Sequence, residues 1–450
     1  MPRHAHPIIA HAVLALESGR TSATALIEEA LARAAEGEGP RVFTALHAKE
    51  AREQARAMDA LRQAGRAPSR FAGIPITVKD LFDEAGHVTR AGSVARDGAK
   101  PATAPAPVIE RLNRQGFIVI GRTNMTEFAF SGLGVNPHYG TPSSPWDRAT
   151  GRLPGGSSSG AGVAAADGMG FGGLGTDTGG SCRIPAALNG VVGFKPTARR
   201  VPISGVLPLS PSLDSVGPLA RSVGCCQVLD AIIAGAETPP ALPEVNLAGL
   251  RFGVLNNIVE EGMQGEVARA YARTLARLEA AGVKLEDVTL PELDRMPTIN
   301  AKGGLTASEA YAWHRHLIAS DGPRYDPRIL KRIARGEHMS AADYLGVVQA
   351  RAEVIAATAP RTAPYDAVIC PTVPLIPPAI AEVEEESEYN RINLLLLRNT
   401  TIANFLDRCA ISLPCHIPGE APVGLMLMGE AMGDQRLLAI SAAIEALLEA

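Results

Sequence analysis

The residues best suited to nucleophilic chemistry are concentrated in one stretch, GRLPGGSSSGAGVAAADGMGFGGLGTDTGGSCRIPAALNGVVGFKPT at 151–197. Its glycine content between 151 and 181 far exceeds the roughly 7% of an average protein, yet the inserts VAAA and IPAAL set it apart from a flexible linker. Glycine of this kind is expected to admit a close backbone approach or a positive φ. In GTDTGGS, 175–181, Ser181 follows paired glycines, so the amides of Thr178, Gly179, Gly180 and Ser181 can converge on one point. Convergent amides are what an oxyanion hole requires, and a serine beside one is placed for acyl transfer. The same residues would also make a glycine turn whose serine caps the helix suggested by IPAALNG, and the loop alone does not separate the two.

A serine needs a base, and Lys79 is suited to be one. The chain has seven lysines against 36 arginines, and Lys79 closes the apolar run GIPITV just before Asp80-Leu81-Phe82. An ammonium in such surroundings pays for desolvation, which depresses its pKa. At an ordinary value of about 10.4, roughly 1 lysine in 2,500 is neutral at pH 7; lowering it by about three units, some 4 kcal/mol of bias, makes the amine a usable base. Taken alone, Lys79 also reads as a strand-end lysine snorkelling to water.

Rival motifs explain fewer residues. Gly156, Ser158 and Gly160 satisfy GxSxG, a nucleophile elbow that would need an acid and then a histidine downstream, with His314, His316, His338 and His416 available. Gly168, Gly170 and Gly173 satisfy GxGxxG but lack the strand, helix and acidic residue of a dinucleotide site. No P-loop is present. His314 and His316 form only HxH, there is no HExxH, and six cysteines without CxxC spacing are expected to be buried reduced thiols. A mechanism without metal or cofactor is expected.

The elements that must position these groups follow from periodicity. The first 65 or so residues repeat apolar groups at helical spacing, with Ser22 as N-cap of the second helix. IPITV reads as a buried strand ending at Lys79. FIVIG at 117–121, RFGVL at 251–255, a helix at 266–281 and VKLEDVTL continue an alternation that argues for an α/β sheet covered by helices. The proline-rich 236–250 reads as a surface connection, and 361–380 as a short buried strand before a loop. With 450 residues, 46% apolar and 20% charged, a large interior is expected.

A net charge of −4 and a pI near 6.2 leave no basic field for nucleic acid or an anionic membrane, so the expected partner is a small molecule. No run reaches the roughly 18 apolar residues of a membrane span. The N-terminal apolar stretch, interrupted or followed by His11, Glu17 and Arg20, shows no cleavage site. A cytoplasmic location is expected, and a homodimer is compatible with all of this.

GIPITVKD, PGGSSSGAG and GTDTGGSCRIPAALNGVVGFKPT together resemble the amidase signature family. The likeness continues through GRTNMTEFAFSGLG, NPHYGTPSSPW, SLDSVGPLARS and APVGLMLMG and spans residues 8–448. It implies a large mixed β-sheet covered by helices, with an N-terminal helical segment, 1–70, packing on a catalytic domain, 71–450, as one structural domain overall. It also implies a Ser-Ser-Lys triad: Ser181 as nucleophile, Ser157 as bridging serine held through a cis peptide, and Lys79 as base. Ser158 and Ser159 would be structural. The implied activity is hydrolysis of a carbon–nitrogen amide bond through an acyl-enzyme.

The strongest alternative is the glutamine-hydrolysing A subunit of a tRNA-dependent amidotransferase; a second is an esterase using Ser158. Met125, Phe128 and Phe130 occupy a segment that lines the pocket in relatives. Arg183 is expected to pair with Asp177, with binding of a substrate carboxylate as its other reading. Cys182 is expected in the core. Loops 256–265, 303–345 and 372–395 would carry specificity and do not name the amide.

Overall fold

A computed structural model describes residues 6–450. Among these residues eleven strands form one sheet: β1 (Phe43–Leu46), β2 (Pro75–Lys79), β3 (Ile118–Thr123), β4 (Gly172–Asp177), β5 (Val192–Lys195), β6 (Ser215–Ala220), β7 (Arg251–Leu255), β8 (Lys284–Val288), β9 (Ala367–Pro371), β10 (Ala410–Pro414) and β11 (Gly424–Met428). Their order is β1-β3-β2-β4-β6-β5-β10-β11-β9-β7-β8. Parallel pairing joins β2 to β3 and β4, and β7 to β8 and β9, while the remaining pairs are antiparallel. The sheet is therefore large and mixed. β2, β3, β4, β5, β6, β9, β10 and β11 are buried along their whole length, which explains their continuous apolar or glycine-rich texture rather than an alternating one.

Local chemistry sets the elements as the sequence leads one to expect. Ser22 caps the Ala23–Ala35 helix, its Oγ accepting from Ala25 N at 3.1 Å. RFGVL is β7, and the following helix runs Gly265–Ala280. Residues 236–250 form a largely exposed connection without regular structure. One expectation needs correction: the helical run read over the first 65 or so residues is interrupted, because Phe43–Leu46 pairs antiparallel with β3 at the sheet edge. Four residues between two helices are too short to show a period of two. Among the described residues no helix is long and apolar enough to cross a membrane.

The pairing of β2 with β4 places the site. The two strands are parallel, with Thr77 opposite Gly173 and Val78 opposite Leu174, so that β2 ends at Lys79 while β4 continues past that level through Thr176 to Asp177. The carboxyl ends of adjacent parallel strands are where α/β sheets hold their ligands.

Candidate active site

Lys79, at the end of β2, is fully buried, and its Nζ lies 2.8 Å from Ser157 Oγ and 2.8 Å from Thr176 Oγ1. Burial pushes the amine down to about 8, against weaker opposing fields from Cys182, Asp214 and Asp177. Snorkelling to water is excluded by that burial. Nothing local in the sequence marks Thr176, although it sits inside the motif that ends at Ser181.

Ser157 lies in a loop that begins the Ser159–Ala166 helix, and the Gly156–Ser157 peptide bond is cis. Neighbouring backbone holds this loop: Gly156 N–H donates to Gly132 O at 2.8 Å, Thr126 N–H to Ser157 O at 3.1 Å, and Ser158 N–H to Ser181 O at 3.3 Å. That last bond abuts the two serine loops. Glycine at 175 permits the approach, since a Cβ there would stand 2.6 Å from Ser158 Oγ.

The GxSxG reading does not hold. Ser158 is fully buried, its Oγ donates to Thr176 O at 3.3 Å, and the chain before it forms no strand from which an elbow could turn. The Ser159 hydroxyl donates to Asn124 O at 3.4 Å.

Ser181 follows β4 and precedes the Arg183–Asn189 helix. The carboxylate of Asp177 organises the loop between them. Its Oδ1 accepts from Gly180 N at 2.8 Å and its Oδ2 from Cys182 N at 3.1 Å; Arg183 adds Nε to Oδ2 at 3.0 Å and Nη2 to Oδ1 at 2.8 Å. Burial alone would raise this carboxyl, but Arg183, Lys195 and Asn404 hold it down at about 2.

The expected Arg183–Asp177 pair is present, and two other readings change as a result. The Gly180 amide is turned into Asp177 and is spent, so three of the four amides, those of Thr178, Gly179 and Ser181, remain without an acceptor among the described residues. Arg183 is fully buried, with Nη1 donating to Thr400 O and to Met426 Sδ and Nη2 also to Asn404 Oδ1. A guanidinium so saturated has no donor left for a substrate carboxylate.

Other residues fall where the chemistry requires. Burial drives the Cys182 thiol far above its usual range, and its Sγ faces Gly217 O at 3.6 Å, which makes it a core residue. All six cysteines are buried. Thr178 Oγ1 donates to the buried Asp214 carboxylate at 2.5 Å, fixing the first residue of the loop. Met125 and Phe128 are fully buried in the main core, the Phe128 ring lying 4.4 Å from that of His314 and 4.9 Å from that of Tyr325. Phe130 is only half-buried.

The family model described as Amidase matches residues 25–438. A 2-amino-5-chloromuconic acid deaminase of Comamonas testosteroni is 36% identical, covering 99% of this chain and 96% of that protein. The glutamyl-tRNA(Gln) amidotransferase of Symbiobacterium thermophilum has an A subunit that is 32% identical, covering 94% and 93%. A crystal structure of an amidase superposes with a TM-score of 0.89 at 33% identity, over 98% of this chain and 99% of that one.

Proposed function

This chain belongs to the amidase family, an enzyme family acting on carbon–nitrogen amide bonds, and from that premise we propose that Ser181, Ser157 and Lys79 perform the cleavage through an acyl-enzyme. The contact of Lys79 Nζ with Ser157 Oγ at 2.8 Å, inside a site that lowers the amine to about 8, carries the reading. Neutral Lys79 takes the proton of Ser157, which takes that of Ser181. The Ser181 oxygen then bonds to the substrate carbonyl carbon, and the carbonyl electron pair moves onto oxygen. The amides of Thr178, Gly179 and Ser181 are the available donors for that charge.

The proton held by Lys79 returns through Ser157 to the substrate nitrogen, the carbon–nitrogen bond breaks, and the amine departs. Water entering in its place gives a proton to the same relay and its oxygen to the acyl carbon. Ser181 recovers its hydrogen and a carboxylic acid leaves. Met125 directly precedes Thr126, whose amide donates to Ser157 O, and Phe128 follows after Glu127; we place Met125 and Phe128 behind the wall of the acyl pocket.

The substrate is a small molecule whose nitrogen leaves as ammonia or an amine, supported by likeness to a deaminase of an amino-substituted unsaturated acid over nearly the whole chain. A panel of aliphatic and aryl amides, amino-substituted unsaturated dicarboxylic acids and glutamine, assayed for released nitrogen, tests this. Glutamine turnover alone would replace it with the amidotransferase role. For the site itself, Ser181→Ala abolishes covalent labelling by a fluorophosphonate and Ser158→Ala leaves it largely intact; the reverse pattern overturns the triad.

A further inference from the structure

The Glu386–Phe405 helix lies more than 200 residues beyond the nucleophile in sequence, yet its last two turns are built around the nucleophile loop. Thr400 Oγ1 donates to Gly179 O at 2.6 Å and Thr401 Oγ1 to the same oxygen at 3.2 Å. Asn404 Nδ2 donates to Asp177 O at 3.1 Å and to Asp177 Oδ1 at 2.9 Å. A carbonyl oxygen has two lone pairs, and here the hydroxyls of two adjacent threonines take both.

The consequence lies in the geometry of one peptide plane. In a trans peptide the carbonyl and the amide point in opposite directions. The Gly179–Gly180 peptide has its carbonyl tied to Thr400 and Thr401 and its amide tied to Asp177 Oδ1 at 2.8 Å. A plane held at both edges cannot swing, and its two neighbours are the peptides that carry the unspent Gly179 and Ser181 amides. Gly180 has φ +134, and a Cβ on it would stand 2.1 Å from Thr400 Oγ1. Helix and loop are therefore fitted to each other at the closest approach that a glycine allows.

The same helix holds the other serine loop. Asn393, seven residues before Thr400 and on the same face, accepts at Oδ1 from Ser131 Oγ at 2.9 Å and from Gly132 N at 2.8 Å. Gly132 O in turn receives the Gly156 amide next to Ser157. One rigid helix thus fixes both loops.

We infer that Thr400 and Thr401 are positioning residues: by clamping the Gly179 carbonyl they aim the Gly179 and Ser181 amides at the oxyanion. This rests on Ser181 being the nucleophile. Removing an oxyanion donor outright costs about 10²–10³ in rate, so mis-aiming two donors that remain present is expected to cost about tenfold.

The test follows fluorophosphonate labelling in wild type, Thr400→Val/Thr401→Val, Thr400→Ser/Thr401→Ser and Ser181→Ala, resolving the maximal inactivation rate from the half-saturating concentration. The valine pair is expected to slow the maximal rate about tenfold with half-saturation unchanged, and the serine pair to restore it. Should the valine pair fail to fold, Thr401→Val alone, at a half-buried position, is expected to show a smaller loss that Thr401→Ser reverses. An unchanged maximal rate in the valine variants, a serine pair as slow as the valine pair, or a loss confined to half-saturation overturns the clamp. Labelling that persists in Ser181→Ala overturns the site reading instead, and the two failures are distinct.

Discussion

Lys79 Nζ and Thr176 Oγ1 are 2.8 Å apart, the same separation as between Lys79 Nζ and Ser157 Oγ. The amine is thus held between two hydroxyls, with no carboxylate at ion-pair distance among the described residues. Hydroxyls stabilise an ammonium far less than a carboxylate does, so burial dominates and the amine sits at about 8.

Activity follows deprotonation of that amine. kcat/KM is expected to rise tenfold per pH unit below about 8 and to level off above it. Lys79→Ala is expected to lose at least about 10²-fold with the same slope removed. A pH profile from 6 to 10 on wild type and variant checks both.

The same burial costs stability. The unfolded chain keeps this proton up to about 10.5 and the folded one releases it near 8, so unfolding takes up a proton between these values and stability rises with pH across the window. Below pH 8 the cost is about 3 kcal/mol. Lys79→Met is therefore expected to be inactive and more resistant to urea at pH 7, with the gap to wild type closing as pH rises from 8 towards 10.5.

Thr176→Val removes one hydroxyl from the ammonium and keeps the volume. The amine falls further, so the midpoint of the pH profile is expected to move below about 8 while kcat on the plateau drops about tenfold, through looser placement of Nζ. Thr176→Ser restores both in the same assay.

Arg183→Met leaves the Asp177 carboxylate buried with its cation gone. Stability is expected to fall by about 3–5 kcal/mol, read as a lower urea midpoint. A residue binding substrate carboxylate would instead raise KM and leave the midpoint in place.

Gly175→Ala places a methyl 2.6 Å from Ser158 Oγ. The serine loop must shift away from β4, and kcat is expected to fall more than tenfold. Ser158→Ala in the same chain removes the atom first met and is expected to recover part of the loss. A double-mutant cycle measures that coupling.

Residue type and spacing along the chain were enough to find β2 ending at Lys79, β7 and its following helix, the Ser22 cap, and the loop ending at Ser181, while the burial of Lys79 was settled only by the fold. These depend on burial patterns and turn chemistry within a few residues of each other. β1 escaped because four residues show no period. Thr176 escaped because nothing local distinguishes a hydroxyl facing a lysine from one facing a strand neighbour.

Which groups are already spent became visible only in the folded molecule. Gly180 N–H and Arg183 both turn to Asp177, and the Gly179 carbonyl turns to two threonines 221 and 222 positions further on. The order of amino acids names the donors and acceptors that the site owns. Their allocation is a matter of distance, set by a sheet order that brings β2 beside β4 and by a helix that crosses the loop, and a hydrogen bond formed there is closed to any substrate.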